Sequence, residues 1–201
     1  LWSYFAMLHN FFMAHFNSMG NASMSITWSI GIEEQFYIVF PLLMLVFKRK
    51  GLPYLLAAAI LLAPFFRAQH NTWIPPYVLL NCRMDAIAFG ILIAWLNTQS
   101  MLSSVVDRFF YFLIGLLLTV ILICGYLFWQ FNDLGVFKQT LFSVVFSIGL
   151  MFSLTRTAGW YGSILRLKPL VWIGTISYSL YLFHYIILGL FQHFNNNLNG
   201  L

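Results

Sequence analysis

The sequence predicts an all-α fold, a polytopic bundle of transmembrane helices, and three observations carry that expectation. First, 61% of the 201 residues are hydrophobic, only 7% are charged and the mean hydropathy is +0.84. A soluble domain, with about 25% charged residues, covers itself with polar groups that this chain lacks. Second, the apolar residues gather into runs near the length of about 20 residues that a crossing helix needs. Third, no segment of about ten residues alternates apolar and polar positions, which sets aside a transmembrane barrel.

Six complete spans are expected in order. Residues 25–47 end at the basic triplet Lys48, Arg49 and Lys50; residues 52–66, with their flanks, end before the connection 68–76; residues 77–96 end before the loop 97–108. Residues 109–129 end at the connection 130–137, residues 138–154 at the basic loop 156–168, and residues 170–194 at the polar tail 195–201. Residues 1–16 read as the end of a seventh, partial helix. With short loops throughout, residues 1–201 form a single transmembrane domain. Its first residue is Leu1, followed at once by apolar and aromatic residues with no basic leader, so the chain reads as an internal piece of a longer protein, incomplete at both ends.

The net charge of +5 is a property of the loops. No basic stripe runs along any segment, which excludes nucleic acid as a partner and leaves the lipid bilayer as the expected one; no protein partner is indicated. Lys48, Arg49 and Lys50, and the loop with Arg156, Arg166 and Lys168, mark the cytoplasmic side, and loop 97–108 falls there by alternation. Cys82 and Cys124 read as small buried hydrophobes without metal-ligand spacing, and no metal is expected.

Charged residues inside such spans are costly, roughly 2.5 to 3.5 kcal/mol for an acid at a helix centre, and by default they mark function. Glu33 and Glu34 lie side by side in TWSIGIEEQFY, residues 27–37, with Glu33 roughly 12 Å below the outer end of its span. His184 lies roughly 15 Å below the outer end of the last span. Arg83 and Asp85 occupy the outer half of the third. Being two residues apart on a helix, they point about 200° apart and cannot pair, so each needs another partner, and Glu33 or Glu34 is one choice for Arg83. Acid, imidazole and the Arg/Asp pair thus converge on the outer half of the membrane. Bland readings stand beside this: His184 as a hydrogen-bonded core residue, Tyr178, Tyr181 and Tyr185 as a packing stripe, and His9, Asn10 and His15 as solvated residues near the outer interface.

Three blocks resemble the bacterial integral-membrane acyltransferase-3 family: TWSIGIEEQFYIVFPLL at 27–43, RMDAIAFGILIA at 83–94 and IGTISYSLYLFHYII at 173–187. Their order and spacing match that family over nearly the whole chain. The resemblance implies a bundle of about ten helices in the cytoplasmic membrane, of which this chain would run from near the end of the third to before the tenth. It implies transfer of an acetyl or other short acyl group from cytosolic acyl-CoA, acetyl-CoA first, to a hydroxyl of a surface or exported glycan acceptor. The family's catalytic histidine belongs to an Arg/Lys-x10-His motif, and here no Arg or Lys has a His eleven positions later. The 201 residues alone are therefore expected to be inactive, and the longer parent active.

By the same resemblance Glu33 is the fixed acid of its block, with Gln35 and Tyr37 on the same element, and would orient the missing histidine. Arg83 and Asp85 would bind acceptor hydroxyls or the thioester carbonyl, and Ser177, Tyr181 and His184 would line the same cavity. CoA would sit at the cytoplasmic mouth near Lys48, Arg49 and Lys50 or Arg166 and Lys168, its pantetheine arm of roughly 15 to 20 Å reaching into a hydrocarbon core about 30 Å thick. The competing class is a multispan glycan or lipid transporter. Pro41 and Pro64 would suit its kinked helices, but the sequence has no internal repeat.

Overall fold

A computed structural model describes residues 7–20, 25–131 and 135–198, and among them the chain is helical with no strand. The helices are α1 (His9–His15), α2 (Trp28–Ala68), α3 (Ile74–Val78), α4 (Leu80–Thr98), α5 (Leu102–Arg108), α6 (Phe110–Phe131), α7 (Lys138–Thr155), α8 (Trp160–Leu165) and α9 (Lys168–Leu198), with a 3-10 turn at Gly135–Phe137 before α7. The chain is an all-α membrane protein. Among the described residues, four helical stretches, Trp28–Ala68, Ile74–Thr98, Phe110–Phe128 and Gly135–Thr155, are long and apolar enough to cross a bilayer. Leu45, Val46, Tyr111 and Leu122 stand open on outer faces, an apolar surface suited to lipid.

Helix α2 is two arms joined at Lys48, whose backbone leaves the helix at φ 54° and ψ −179°. Gly51 lets the chain close there: a Cβ at this position would lie 2.7 Å from the Cβ of Phe47, so any side chain would collide. Pro53 follows near the start of the second arm. Phe40 and Met44 of the first arm then meet Leu52, Leu56, Ala59 and Ile60 of the second around Ala88 of α4. The arms form a hairpin with α4 laid against it. The basic triplet is the turn, as the sequence indicated.

The third expected span, 77–96, is interrupted. Pro75 and Pro76 start α3, and Leu79 is extended (φ −91°, ψ 139°) before α4 begins. The break leaves the Val78 carbonyl without its helical donor, because the Cys82 amide turns to Leu79 instead at 3.2 Å. Asn10 of α1 takes that place, its Nδ2 donating to Val78 O at 3.1 Å. His9 bonds the Thr27 carbonyl through Nε2 at 2.7 Å. His9 and Asn10 are buried, not solvated as expected, because α1 packs on Gly31, where a Cβ would come within 3.1 Å of the His9 ring. His15 is exposed as expected. The seventh helix is seen only as His9–His15; residues 1–6 lie outside the described ones.

Helix α4 is the hub, packed between the α2 hairpin and α7. At its carboxyl end α5 folds across, burying Leu102 and Val106 with Ile93 and Met151. Arg156 pairs with Asp107 at 2.7 Å, tying loop 97–108 to loop 156–168. This exposed pair contributes little stability, about 0–1 kcal/mol, but it shows which loops share an end. Leu52, just past the basic turn, meets Trp95 in the same region. Lys48, Arg49, Lys50, Arg108, Arg156, Arg166 and Lys168 therefore gather at one end of the bundle, while α1, α3 and the 3-10 turn occupy the other.

Candidate functional site

Two residues of one helix turn, Arg83 and Asp85, look into different surroundings, as their spacing dictates. Asp85 is fully buried and faces Arg67, which is 1% exposed. The pair is bidentate: Arg67 NH1 to Oδ1 at 3.2 Å and NH2 to Oδ2 at 2.9 Å. Thr140 of α7 donates its hydroxyl to Oδ2 at 2.5 Å and is also reached by Arg67 NH2. The remaining guanidinium donors go to the Val136 and Cys82 carbonyls, each at 2.6 Å, and Oδ1 also accepts from the Ala86 amide at 2.9 Å. Buried charges survive only with such full pairing. Arg67 and Thr140 are the site-building residues that the sequence reading missed. The available signal was a lone Arg closing an apolar run on the side opposite the basic loops.

Arg83, on the other side of α4, has no ion pair with Glu33 or Glu34 among the described residues, contrary to one of the expected partnerships. Its Nε donates to the Tyr77 carbonyl at 3.1 Å. Its guanidinium lies 4.8 Å from the Tyr77 ring centroid and 5.1 Å from that of Trp28, a cation held by two aromatic faces, each worth about 0.5–2 kcal/mol. Arg83 forms the wall of a cavity of about 410 Å³ with Trp28, Tyr77, Tyr181, His184 and Tyr185.

Behind the cavity wall, Ser29 Oγ lies 3.2 Å from the Ile26 carbonyl and 2.7 Å from the Tyr181 hydroxyl, an exchange in which either hydroxyl can donate and which fixes the Tyr181 ring against α2. His184 Nδ1 meets the Tyr181 carbonyl at 2.5 Å; a carbonyl only accepts, so Nδ1 carries the proton and Nε2 of the neutral ring is left as an acceptor. The His184 ring rests 4.5 Å from that of Tyr185.

The other expected site residues are scattered. Glu33 is exposed one turn beyond Ser29 on the same face of α2, not buried as expected, and Glu34 is half-buried. Gln35 pairs reciprocally with the Asn10 amide, donating at 2.7 Å and accepting at 3.2 Å, and donates to Met7 O at 2.8 Å, so it clamps α1. Tyr37 and Tyr178 are exposed. Ser177 lies outside the cavity, its hydroxyl turned back to the Gly174 carbonyl at 2.8 Å. Asp85 is apart from the cavity as described. Lys48, Arg49, Lys50 and Lys168 are exposed at the basic end, and Arg166 donates there to the Thr157 carbonyl at 2.6 Å. Cys82 is buried and Cys124 half-buried. A separate apolar cleft of about 220 Å³ lies between the hairpin arms and α4, lined by Phe36, Phe40, Leu43, Leu56, Ala59, Met84 and Ile91, among others.

The cavity is thus built where the three sequence blocks meet: Trp28 from the first, Arg83 from the second, Tyr181 and His184 from the third. The family model of the acyltransferase domain, acyltransferase-3, matches residues 1–200. The chain belongs to the acyltransferase-3 family. Similar members are the peptidoglycan O-acetyltransferase OatA of Listeria monocytogenes, 30% identical over 198 residues that cover 92% of this chain and 32% of the relative, and the putative peptidoglycan O-acetyltransferase YrhL of Bacillus subtilis, 26% identical over 191 residues, covering 88% and 30%. The O-acetyltransferase OatA of Staphylococcus aureus is 26% identical over 193 residues, covering 87% and 31%. The acyltransferase-3 chain described here spans about a third of the length of these curated relatives. No solved structure matches it significantly.

Proposed function

We propose that the intact protein is a multi-pass O-acyltransferase of the bacterial cytoplasmic membrane. It moves an acetyl or other short acyl group from acyl-CoA to a hydroxyl of an extracytoplasmic glycan, and the Arg83 cavity is this chain's share of the reaction centre. The single observation that carries the reading is the meeting of the three family blocks in one cavity that presents a guanidinium and an imidazole acceptor from different helices. The relatives' names point to peptidoglycan as the first acceptor to test.

In this reading residues 28–47, 49–68, 80–98, 110–131, 138–155 and 168–198 cross the membrane, and the basic end faces the cytoplasm. Lys48, Arg49, Lys50, Arg166 and Lys168 attract the CoA phosphates there. The apolar cleft beside Ala59 lies between that end and the Arg83 cavity, on the route of the pantetheine arm. At the reacting centre the acceptor oxygen bonds to the acyl carbon, the carbon–sulfur bond breaks, and the thiol leaves with a proton. Arg83 donates to the carbonyl oxygen as it gains charge, the kind of preorganised stabilisation that is worth several kcal/mol. His184 Nε2 and Tyr181 accept from hydroxyls of the acceptor ring and orient it.

The attacking hydroxyl gives its proton to the histidine of the family's Arg/Lys-x10-His motif, which the 201 residues do not hold. Glu33 orients that imidazole and stabilises its charged form. An exposed carboxylate at this depth is costly in lipid, so a further polar or helical neighbour must cover it in the membrane. Asp85 acts through its frame: with Arg67 it fixes the rotation of α4 that sends Arg83 into the cavity. The test is acetyl transfer by the intact protein in proteoliposomes. Glu33→Gln is expected to abolish transfer with CoA binding retained; full activity in that variant rejects the catalytic role.

A further inference from the structure

The Arg83 cavity is one of three that share walls. A second, of about 320 Å³, is bounded by Tyr77 and Arg83 on one side and by Lys138, Gln139 and Ser143 on the other. A third, of about 520 Å³, continues from Tyr77, Lys138 and Gln139 to His70 and Trp73. Each has the size of a small-ligand site, roughly 300–1,000 Å³. Their common floor is aromatic: Trp28 to Tyr77 at 4.6 Å between centroids, then Tyr77 to Trp73 at 6.0 Å. Their charge is of one sign, because Arg67, Arg83 and Lys138 border them and no acid among the described residues does; Arg67 is already matched by Asp85 and Arg83 serves the reacting centre, which leaves Lys138 for an anion.

We propose that this row is an extended subsite for an acidic saccharide, with Lys138 binding the anion and Trp73 and Tyr77 carrying sugar rings. The inference rests on the proposed acyl transfer and deepens it by specifying the acceptor. An exposed lysine beside flat aromatic faces, with amide or hydroxyl groups at Gln139 and Ser143, matches a chain of rings bearing hydroxyls and a negative group. It does not match an apolar tail, which would offer Lys138 no anion. Tyr and Trp suit such a wall because each offers a rigid face beside a polar edge. Lys138, exposed at the start of α7, sits outside the reacting centre and reads the ligand by charge. The anion is a sugar carboxylate or a sugar phosphate.

The test is equilibrium binding to the intact protein in nanodiscs, without acyl donor, so that it reads the subsite whether or not transfer occurs. The probes are hyaluronan tetrasaccharide for the carboxylate, N-acetylglucosamine 1-phosphate for the phosphate, and neutral chitotetraose. At least one anionic probe is expected to bind at least tenfold tighter than chitotetraose, and the preferred one names the anion. Lys138→Glu should weaken that probe tenfold or more and chitotetraose less than twofold, whereas Trp73→Ala should weaken both. Equal binding of all three probes, or equal loss of charged and neutral probes in Lys138→Glu, overturns the proposal. Absent acyl transfer with this charge preference intact would instead overturn the enzymatic reading.

Discussion

Arg67 and Asp85 neutralise each other in a buried position, and Thr140 completes their pairing. Removing one partner leaves a buried uncompensated charge, so Asp85→Ala or Arg67→Ala should each cost about 3–5 kcal/mol, seen as a lowered Tm in detergent. The double variant Arg67→Met with Asp85→Leu should recover most of that loss, since a packed apolar pair replaces both charges. Recovery of stability without recovery of transfer is the expected combination, because the rotation of α4 would be set less sharply. That Arg83 and Asp85 diverge was legible from helical geometry alone. That Asp85 finds Arg67 was not, because the contact depends on how the 69–79 connection, broken at Leu79, lays α4 against the end of α2. The same holds for His9 and Asn10, whose burial depends on the close approach allowed by Gly31.

At the scale of elements, the α2 hairpin and α4 enclose the apolar cleft beside Ala59. If the acyl arm passes there, Ala59→Phe should lower acyl transfer at least tenfold while leaving saccharide binding within twofold; radiolabelled acetyl transfer and equilibrium binding check it. Reversing the charge of Lys48, Arg49 and Lys50 should weaken CoA binding, with orientation verified by labelling an introduced cysteine from each side. The hairpin turn was legible because three charges, a glycine and a proline end an apolar run in sequence. The break at Leu79 was not: nothing in YVLLNC departs from a continuous helix, and its cause is tertiary, the capture of the Val78 carbonyl by Asn10.

For the whole molecule, composition was enough to indicate an all-α membrane bundle, and alternation of basic loops indicated which loops share an end. The Arg156–Asp107 pair bears out that grouping for loops 97–108 and 156–168. The site was legible as three blocks but not as a cavity, because Glu33 stands open while Tyr77, outside every block, holds Arg83. The 201 residues alone should show no acyl transfer above background, since the motif histidine is not among them. Reconstitution with acetyl-CoA and peptidoglycan glycan checks that expectation.

The most direct measurement is the initial rate of acetyl transfer by the intact protein carrying Arg83→Lys or Arg83→Gln, with acetyl-CoA binding and Tm followed in the same preparations. A fall in kcat of about 100-fold or more, on the scale of losing one preorganised oxyanion donor, with donor binding within twofold and Tm still well above the assay temperature, is the result that a reaction centre at Arg83 predicts. Transfer within twofold of the unaltered protein in both variants would contradict it.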